Sequence, residues 1–229
     1  MSQHLEELKK SIMSEIYQNR MFLTSYRDRD EGWTLASGLW SPFYIQLRIL
    51  SSFPPTLAKV ARAMSILLQE QAPNVNKVVG VAFAGIPIAT ALSLESGLPA
   101  CHTRKIVGVR TQDDLAKAIS EYGQHSLIEG VIEDGDAICI IDDLVTGMGS
   151  KLIARDQIIA EVGRQGLTDI TCDDVAVVID RQQGASEKAR ELGIRLHSLI
   201  RLVDEGLLLI RDQMEPEEFQ IVSEYLSKK

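Results

Sequence analysis

A chain of 229 residues can bury one sizeable core and is too short for two ordinary domains. Hydrophobic residues make up 45% of it and charged residues 24%, which excludes the disordered, collagen-like and disulfide-scaffold classes. The 24 Lys+Arg against 32 Asp+Glu leave a formal charge of −8, which opposes a sequence-independent grip on nucleic acid or on an anionic membrane, so a phosphate ligand must be held locally. Cys101, Cys139 and Cys172 are widely spaced and odd in number, offering neither a disulfide framework nor a C-x-x-C metal knuckle. With no apolar leader after Met1 and no run near the ~18 apolar residues of a membrane span, the expected location is a reducing cytoplasm.

In chain order, Leu5, Leu8, Ile12, Ile16 and Met21 recur with helical spacing and predict an amphipathic opening helix from Leu5 to about Phe22. Gly38 and Ser41-Pro42 break that period, after which Tyr44, Gln46 and Arg48 alternate with Ile45 and Leu47, predicting a turn and a short strand. A helix follows from Thr56 to Gln71. From there apolar strands alternate with helices: Val78 to Phe83, then Pro87 to Glu95; Ala137 to Ile141, then Gly149 to Gly163; Asp174 to Ile179, then Ser186 to Leu192; and Leu196 to Ile200. This rhythm predicts an α/β fold with a parallel doubly wound sheet flanked by helices. The stretch from Lys105 to Gly130 interrupts it with charged, patchily apolar residues and one short amphipathic run, Asp113 to Ile119, and reads as a lid-like excursion. A helix from Pro216 to Leu226 closes the pattern.

The segment from Ala137 to Ser150 carries the chemistry. An apolar strand ends in two adjacent carboxylates, Asp142 and Asp143, and the following turn, Thr146-Gly147-Met148-Gly149-Ser150, supplies small side chains, hydroxyls and the start of a helix. Ligands of open α/β sheets bind beyond the carboxyl ends of the strands, and the free N–H groups of a helix start favour an anion. Two acids beside an anion site suit a ligand bearing hydroxyls, a bound Mg²⁺ and a phosphate at a distance, as a ribose phosphate does. No Walker A loop and no Gly-x-Gly-x-x-Gly fingerprint accompanies it.

At these residues the chain resembles the type I phosphoribosyltransferases, and its other motifs resemble the orotate phosphoribosyltransferase branch of that family. Leu35-Ala36-Ser37-Gly38 with Ser41-Pro42, Tyr44 and Arg48 is similar to the N-terminal signature, Gly80 to Thr90 to the first strand-loop-helix, Tyr122-Gly123 with Ile128-Glu129-Gly130 to the strand after the lid, and Asp180-Arg181-Gln182-Gln183-Gly184 to the base-side turn. The matches are collinear from about residue 5 to 226.

The resemblance implies one phosphoribosyltransferase domain over 1–229, with a small N-terminal hood in 1–50 and a long flexible lid loop in 105–127. It implies a Mg²⁺-dependent cytoplasmic homodimer that joins orotate to phosphoribosyl pyrophosphate (PRPP), giving orotidine 5′-monophosphate and pyrophosphate. Asp142 and Asp143 would hold the ribose hydroxyls, with Mg²⁺ nearby on substrate oxygens rather than on a defined set of protein ligands. Thr146, Gly147, Met148, Gly149 and Ser150 would surround the 5-phosphate, and the tiny Ala84 and Gly85 would let their loop approach the pyrophosphate. Arg181 would pair with the orotate carboxylate, while Phe43 and Tyr44 would line the base pocket. Arg104 and Lys105 would serve the departing pyrophosphate, in the neighbour's site of the dimer.

On residue type alone Arg181 reads as a surface charge, Phe43 and Tyr44 fit a plain core equally well, and His102 and His197 read as core or interface histidines. The lid departs from the family pattern. Ile106 stands where an acid is usual, the stretch to Tyr122-Gly123 is roughly twelve residues longer, and Ser120 occupies the lysine position, leaving Lys117 or Arg110 to replace it and His125 to serve where a basic residue follows the glycine. Ala36, Gln46 and Met148 also replace residues usual in the family. Two other readings stay open: a phosphoribosyltransferase for another base, and a PRPP-binding regulator with weakened catalysis.

Overall fold

The computed structural model describes residues 3–35, 38–109, 111–121 and 125–227. Its elements in chain order are α1 (Gln3–Gln18), β1 (Phe22–Thr24), β2 (Trp33–Thr34), β3 (Trp40–Ser41), β4 (Phe43–Ile45), α2 (Pro54–Gln71), β5 (Lys77–Gly80), α3 (Gly85–Ser96), β6 (Ala100–Thr103), α4 (Gln112–Glu121), β7 (Ile128–Glu129), β8 (Ala137–Val145), α5 (Gly149–Gln165), β9 (Thr171–Asp180), α6 (Ala185–Glu191), β10 (Arg195–Arg201), α7 (Leu207–Leu209) and α8 (Pro216–Ser227).

Six strands form the central sheet in the order β10-β9-β8-β5-β6-β7, parallel except for the antiparallel edge strand β7. One face packs on α1, α2, α3 and α8 through Ile12, Met64, Ile88, Ile141 and Val178. The other packs on α5 and α6 through Ile140, Ala154, Ile158, Val177 and Ala189. Because both faces are covered, β8 and β9 are nearly continuous buried runs rather than alternating ones. The chain leaves β5 toward β6 on one side and β8 toward β9 on the other, so the switch point lies between the carboxyl ends of β5 and β8.

The N-terminal part adds two small antiparallel pairs, β1 with β4 and β2 with β3. They are clamped by the far end of the chain. Glu218 of α8, 1% exposed, accepts hydrogen bonds from Tyr17 Oη at 2.7 Å and from Thr24 Oγ1. Burial, then the bond to Glu218, push the Tyr17 phenol up to about 12. Tyr225, near the end of α8, donates to the carbonyl of Trp40 at 2.9 Å and sets its ring edge-on to Phe43, 5.9 Å between centroids.

Three elements differ from the sequence expectation. The strand expected over 44–48 stops at Ile45, and Leu47–Ser52 winds into a 3-10 helix that buries Leu47 and Leu50. β8 does not end before its acids: it pairs with β9 as far as Val145 opposite Asp180, so Asp142 and Asp143 lie inside the ladder. Among its described residues the excursion over 105–127 includes a docked helix. Its amphipathic run forms α4, and Ile106, Leu115 and Leu127 close a small core of their own against Ile153 and Ala160 of α5. Among the described residues no helix is long and apolar enough to cross a membrane.

Gly85 marks the tightest approach in the sheet region: a Cβ there would lie 2.2 Å from the carbonyl oxygen of Ile141. The small residue is required by the contact of α3 with β8, a packing reason distinct from the ligand approach expected of it. Gly85→Ala is expected to lower unfolding free energy by about 2 kcal/mol or more, as overpacking against fixed backbone does, measured by urea denaturation. An unchanged urea midpoint would show that α3 can retreat from β8.

Candidate active site

The carboxyl ends of β5, β6, β8 and β9 bring most of the expected residues together. Alternation along β8 puts Asp142 on the face of Ile138 and Ile140, under α5. There its Oδ2 meets Lys151 Nζ at 2.8 Å, both side chains being almost fully buried. Asp142 Oδ1 accepts the N–H of Asp143 at 2.9 Å, and Asp143 Oδ1 accepts that of Leu144 at 2.8 Å. Burial, and next the adjacent Asp142 carboxylate, push Asp143 up to about 7 against the opposing pull of Lys151.

The turn after β8 delivers the start of α5, whose first N–H groups have no partner within the helix. The Cβ directions of Gly147 and Gly149 meet nothing within 4 Å, so the turn is open where an anion would sit. Met148 does not crowd it: its side chain is 2% exposed and packs into the core with Val145 and Ala154. Thr146 is half-buried, and Ser150 is exposed at the mouth.

A cleft beside this turn is lined by Val81, Ala82, Arg104, Lys105 and Ser150, so the two basic residues after β6 share a surface with the phosphate turn. Thr103 Oγ1 accepts the N–H of Ala82 at 3.0 Å and ties the loop after β5 to β6. The Ala82–Phe83 peptide is cis, and Ala84 directly precedes α3. Arg104 pairs with Glu129 at 3.2 Å, and Lys105 is exposed.

Arg181 follows β9 and is attached to the end of β8 by its N–H on the Val145 carbonyl, 3.0 Å. It is 6% exposed, and its Nε and Nη2 have no hydrogen-bond partner among the described residues. The guanidinium lies 4.8 Å from the centroid of Phe43. Burial pulls it down from its usual range, and the nearby Tyr225 and Tyr44 pull the other way. The turn is rigid: Asp180 Oδ1 accepts the N–H of Gln182 at 2.7 Å, and Gln182 Oε1 accepts those of Val203 and Asp204. Phe43 is thus both a core ring, stacked on Phe22 at 5.3 Å, and the floor of Arg181, whereas Tyr44 stacks on Trp33 at 6.2 Å.

Two expected residues are not brought to this place. Lys117 is exposed on α4, and the carbonyl of His125 accepts Arg164 Nη1 at 3.0 Å in the last turn of α5. Arg164 lies roughly 22 Å along the helix axis from the phosphate turn. Tyr122, Gly123 and Arg110 fall outside the described residues, as do Ala36 and Ser37. His197 is a satisfied core histidine, its Nε2 2.8 Å from Asp174. Three residues were missed: Lys151, Gln183, whose buried Nε2 is unpartnered, and Tyr225. Lys151 left a trace, since with Ala154 and Ile158 it falls at i, i+3, i+7 on the buried stripe of α5.

The Asp143 carboxyl titrates at about 7 in the folded chain and near 3.9 unfolded, so the folded state binds more protons between these values. Stability from this group is therefore lost as pH rises from about 4 to about 7. Asp143→Asn is expected to gain on the ligand-free wild type progressively over that window, by roughly 2–4 kcal/mol at its upper end, in melting curves taken across pH. A difference independent of pH would contradict it.

No family model matches the chain. It is 34% identical over 171 residues to an orotate phosphoribosyltransferase of Methanosarcina mazei, covering 75% of this chain and 80% of that one. A Staphylothermus marinus protein of the same name is 28% identical across 98% of this chain and 97% of its own. Among solved structures, the UMP synthase of Leishmania donovani superposes on all of this chain with a TM-score of 0.75 at 24% identity, this chain spanning 43% of that longer one. The sequence relatives and the shared fold place this chain in the orotate phosphoribosyltransferase family.

Proposed function

We propose that this chain transfers the phosphoribosyl group of PRPP to orotate, forming orotidine 5′-monophosphate and pyrophosphate in pyrimidine biosynthesis. The observation that carries this reading is the Arg181 guanidinium, buried where the turn after β9 meets the end of β8, with Nε and Nη2 unpartnered among the described residues. A buried cation with unmatched N–H groups is costly until an anion completes it, and a planar carboxylate matches its fork. Orotate carries that carboxylate; adenine, hypoxanthine, guanine and uracil do not.

In this reading Arg181 anchors the base over Phe43, and Tyr44 borders the same side. The turn from Thr146 to Ser150 takes the 5-phosphate through N–H groups and hydroxyls, and the end of β8 faces the ribose. The bond from C1 of the ribose to pyrophosphate breaks as the bond from the base nitrogen forms, that nitrogen gives up its proton to the departing pyrophosphate or to water, and positive charge develops on the ribose. The chain holds base and ribose in line, and Arg104 and Lys105 stabilise the departing pyrophosphate.

Mg²⁺ belongs to the proposal. Among the described residues no group of three or more His, Cys, Asp or Glu is placed to hold a metal, and the acids present are the Asp142-Asp143 pair. That donor set suits an ion carried by substrate oxygens, since Mg²⁺ keeps several waters and binds through one or two carboxylates plus phosphates. Bound there, it would offset charge on pyrophosphate. The outer side of α3 supports a homodimer: Phe83, just before it, is 71% exposed and Leu94 is 85% exposed, an apolar face that a second copy would cover. The free, buried Cys101, Cys139 and Cys172 suit a reducing cytoplasm.

The test is turnover with Mg²⁺ and PRPP, orotate loss being followed by absorbance beside pyrophosphate release, with the other bases in parallel. Matching loss and release are expected with orotate alone. Release with another base only would take Arg181 out of its role, and silence with every base, PRPP still raising the melting temperature, would make this a binding protein. Arg181→Ala is expected to lower kcat/KM for orotate by on the order of 10²-fold, as truncating a buried charge pair does. Lys105→Ala should depress kcat more than PRPP affinity, and mixed dimers with Asp143→Asn should regain part of the activity; purely additive loss would exclude a site shared between subunits.

A further inference from the structure

The peptide that joins Arg104 to Lys105 is held from outside its own strand. Its carbonyl accepts a hydrogen bond from Gln157 Nε2 at 2.9 Å, and Gln157, on α5, is 4% exposed. The N–H of Arg104 donates to the carbonyl of Leu127 at 3.1 Å, and the N–H of Leu127 donates to Glu161 Oε2 at 2.8 Å. Gln157 and Glu161 stand one helical turn apart, so neighbouring positions on one face of α5 grip the chain where it enters the excursion over 105–127 and where it leaves. On the other side of Lys105, the buried Ile106 packs with Leu115 and Leu127 against Ile153 and Ala160 of α5. Lys105, between these two anchors, is exposed on the cleft that Ser150 and Gln157 also line. The Arg104 side chain is engaged at the far stem, by Glu129 at 3.2 Å and by the carbonyl of Ser126 at 3.4 Å.

We propose that Gln157 is a positioning residue for the transfer step: by holding the peptide between Arg104 and Lys105 it presents the Lys105 ammonium to the departing pyrophosphate. This role rests on the reading of Lys105 as a partner of that leaving group. A peptide unit is planar, so fixing the direction of its carbonyl fixes the direction in which the Lys105 backbone continues, and the buried Ile106 fixes the residue after it. An acid at position 106 could not enter that small apolar core, so the isoleucine belongs to the same brace. What stays mobile is one lysine side chain on a fixed base, and less motion has to be arrested when charge develops on the leaving group. Ser150, Ile153 and Gln157 recur at i, i+3, i+7 along α5 and line the cleft together, so one helix carries both the end of the phosphate turn and, roughly 10 Å further along its axis, the brace for the cation. The brace acts at the base of the lysine and therefore serves its own cleft and a neighbouring subunit's site alike.

The experiment compares Gln157→Met, Lys105→Ala and their double variant, by single-turnover kinetics with PRPP, orotate and Mg²⁺ and by PRPP titration calorimetry. Gln157→Met keeps the length of the side chain and removes its donor. It should slow transfer about tenfold, the scale of one hydrogen bond, and leave PRPP affinity within about twofold. In the Lys105→Ala background the same change should cost less than about twofold, because a residue that acts through another has nothing left to act on. A double variant whose loss is the product of the two single losses would overturn the proposal, since a merely structural glutamine slows both backgrounds alike. A PRPP affinity that falls as far as the rate would overturn it too. If Gln157→Met does not fold, Gln157→Asn, which keeps the amide and withdraws it by one methylene, takes its place with the same outcomes. A wild-type chain that turns over no orotate would remove the reading of Lys105 and this role with it, whereas multiplying losses in an active chain remove the role of Gln157 alone.

Discussion

A guanidinium held at 6% exposure, with Nε and Nη2 unpartnered among the described residues, is the constraint around which this molecule is arranged. Each unmatched buried N–H costs on the order of 1–3 kcal/mol, so the surroundings must hold Arg181 in place by other means. They do so through one ring. Phe43 offers its face to the cation, and it is fixed by Phe22 across the β1–β4 ladder and by the edge of Tyr225 from α8. The N-terminal sheets and the C-terminal helix, distant in sequence, are joined to the central sheet by a single apolar core that runs beneath this contact.

On the other side of the switch point the problem is reversed, with too many negative groups rather than a lone positive one. Asp142 and Asp143 stand side by side inside a buried strand, and one lysine from α5 compensates the pair in part. Burial first, and then the adjacent Asp142 carboxylate, push Asp143 up to about 7, while the turn beyond it is open at Gly147 and Gly149. A chain with a net charge of −8 thus keeps Arg104 and Lys105 together on one cleft beside the start of α5.

Much of this was legible before any coordinates, and the reason differs by element. The strand and helix rhythm from Val78 onward follows from burial of both sheet faces, which leaves long apolar runs that composition alone reveals. The phosphate turn was legible because small residues, hydroxyls and a helix start coincide there. The end of β8 was misjudged because charged residues usually terminate a buried strand, and only the partner Lys151, on a different element, lets Asp142 continue it. Within the excursion over 105–127, Ile106, Leu115 and Leu127 form a small core only against α5, a contact invisible in a one-dimensional pattern. Tyr225 escaped for the same reason: nothing near it in sequence points to Phe43 or Trp40, more than 180 positions earlier.

The clasp between α8 and the N-terminal sheets bears on how the molecule is made. A chain emerging from the ribosome has β1 to β4 available long before Pro216–Ser227 exists, yet the hydroxyls of Thr24 and Tyr17 and the carbonyl of Trp40 each take a hydrogen bond with α8. The central sheet can close first, in the usual order of synthesis, with the N-terminal sheets waiting as an incomplete cover. The floor under Arg181 is therefore completed only once Pro216–Ser227 has been made.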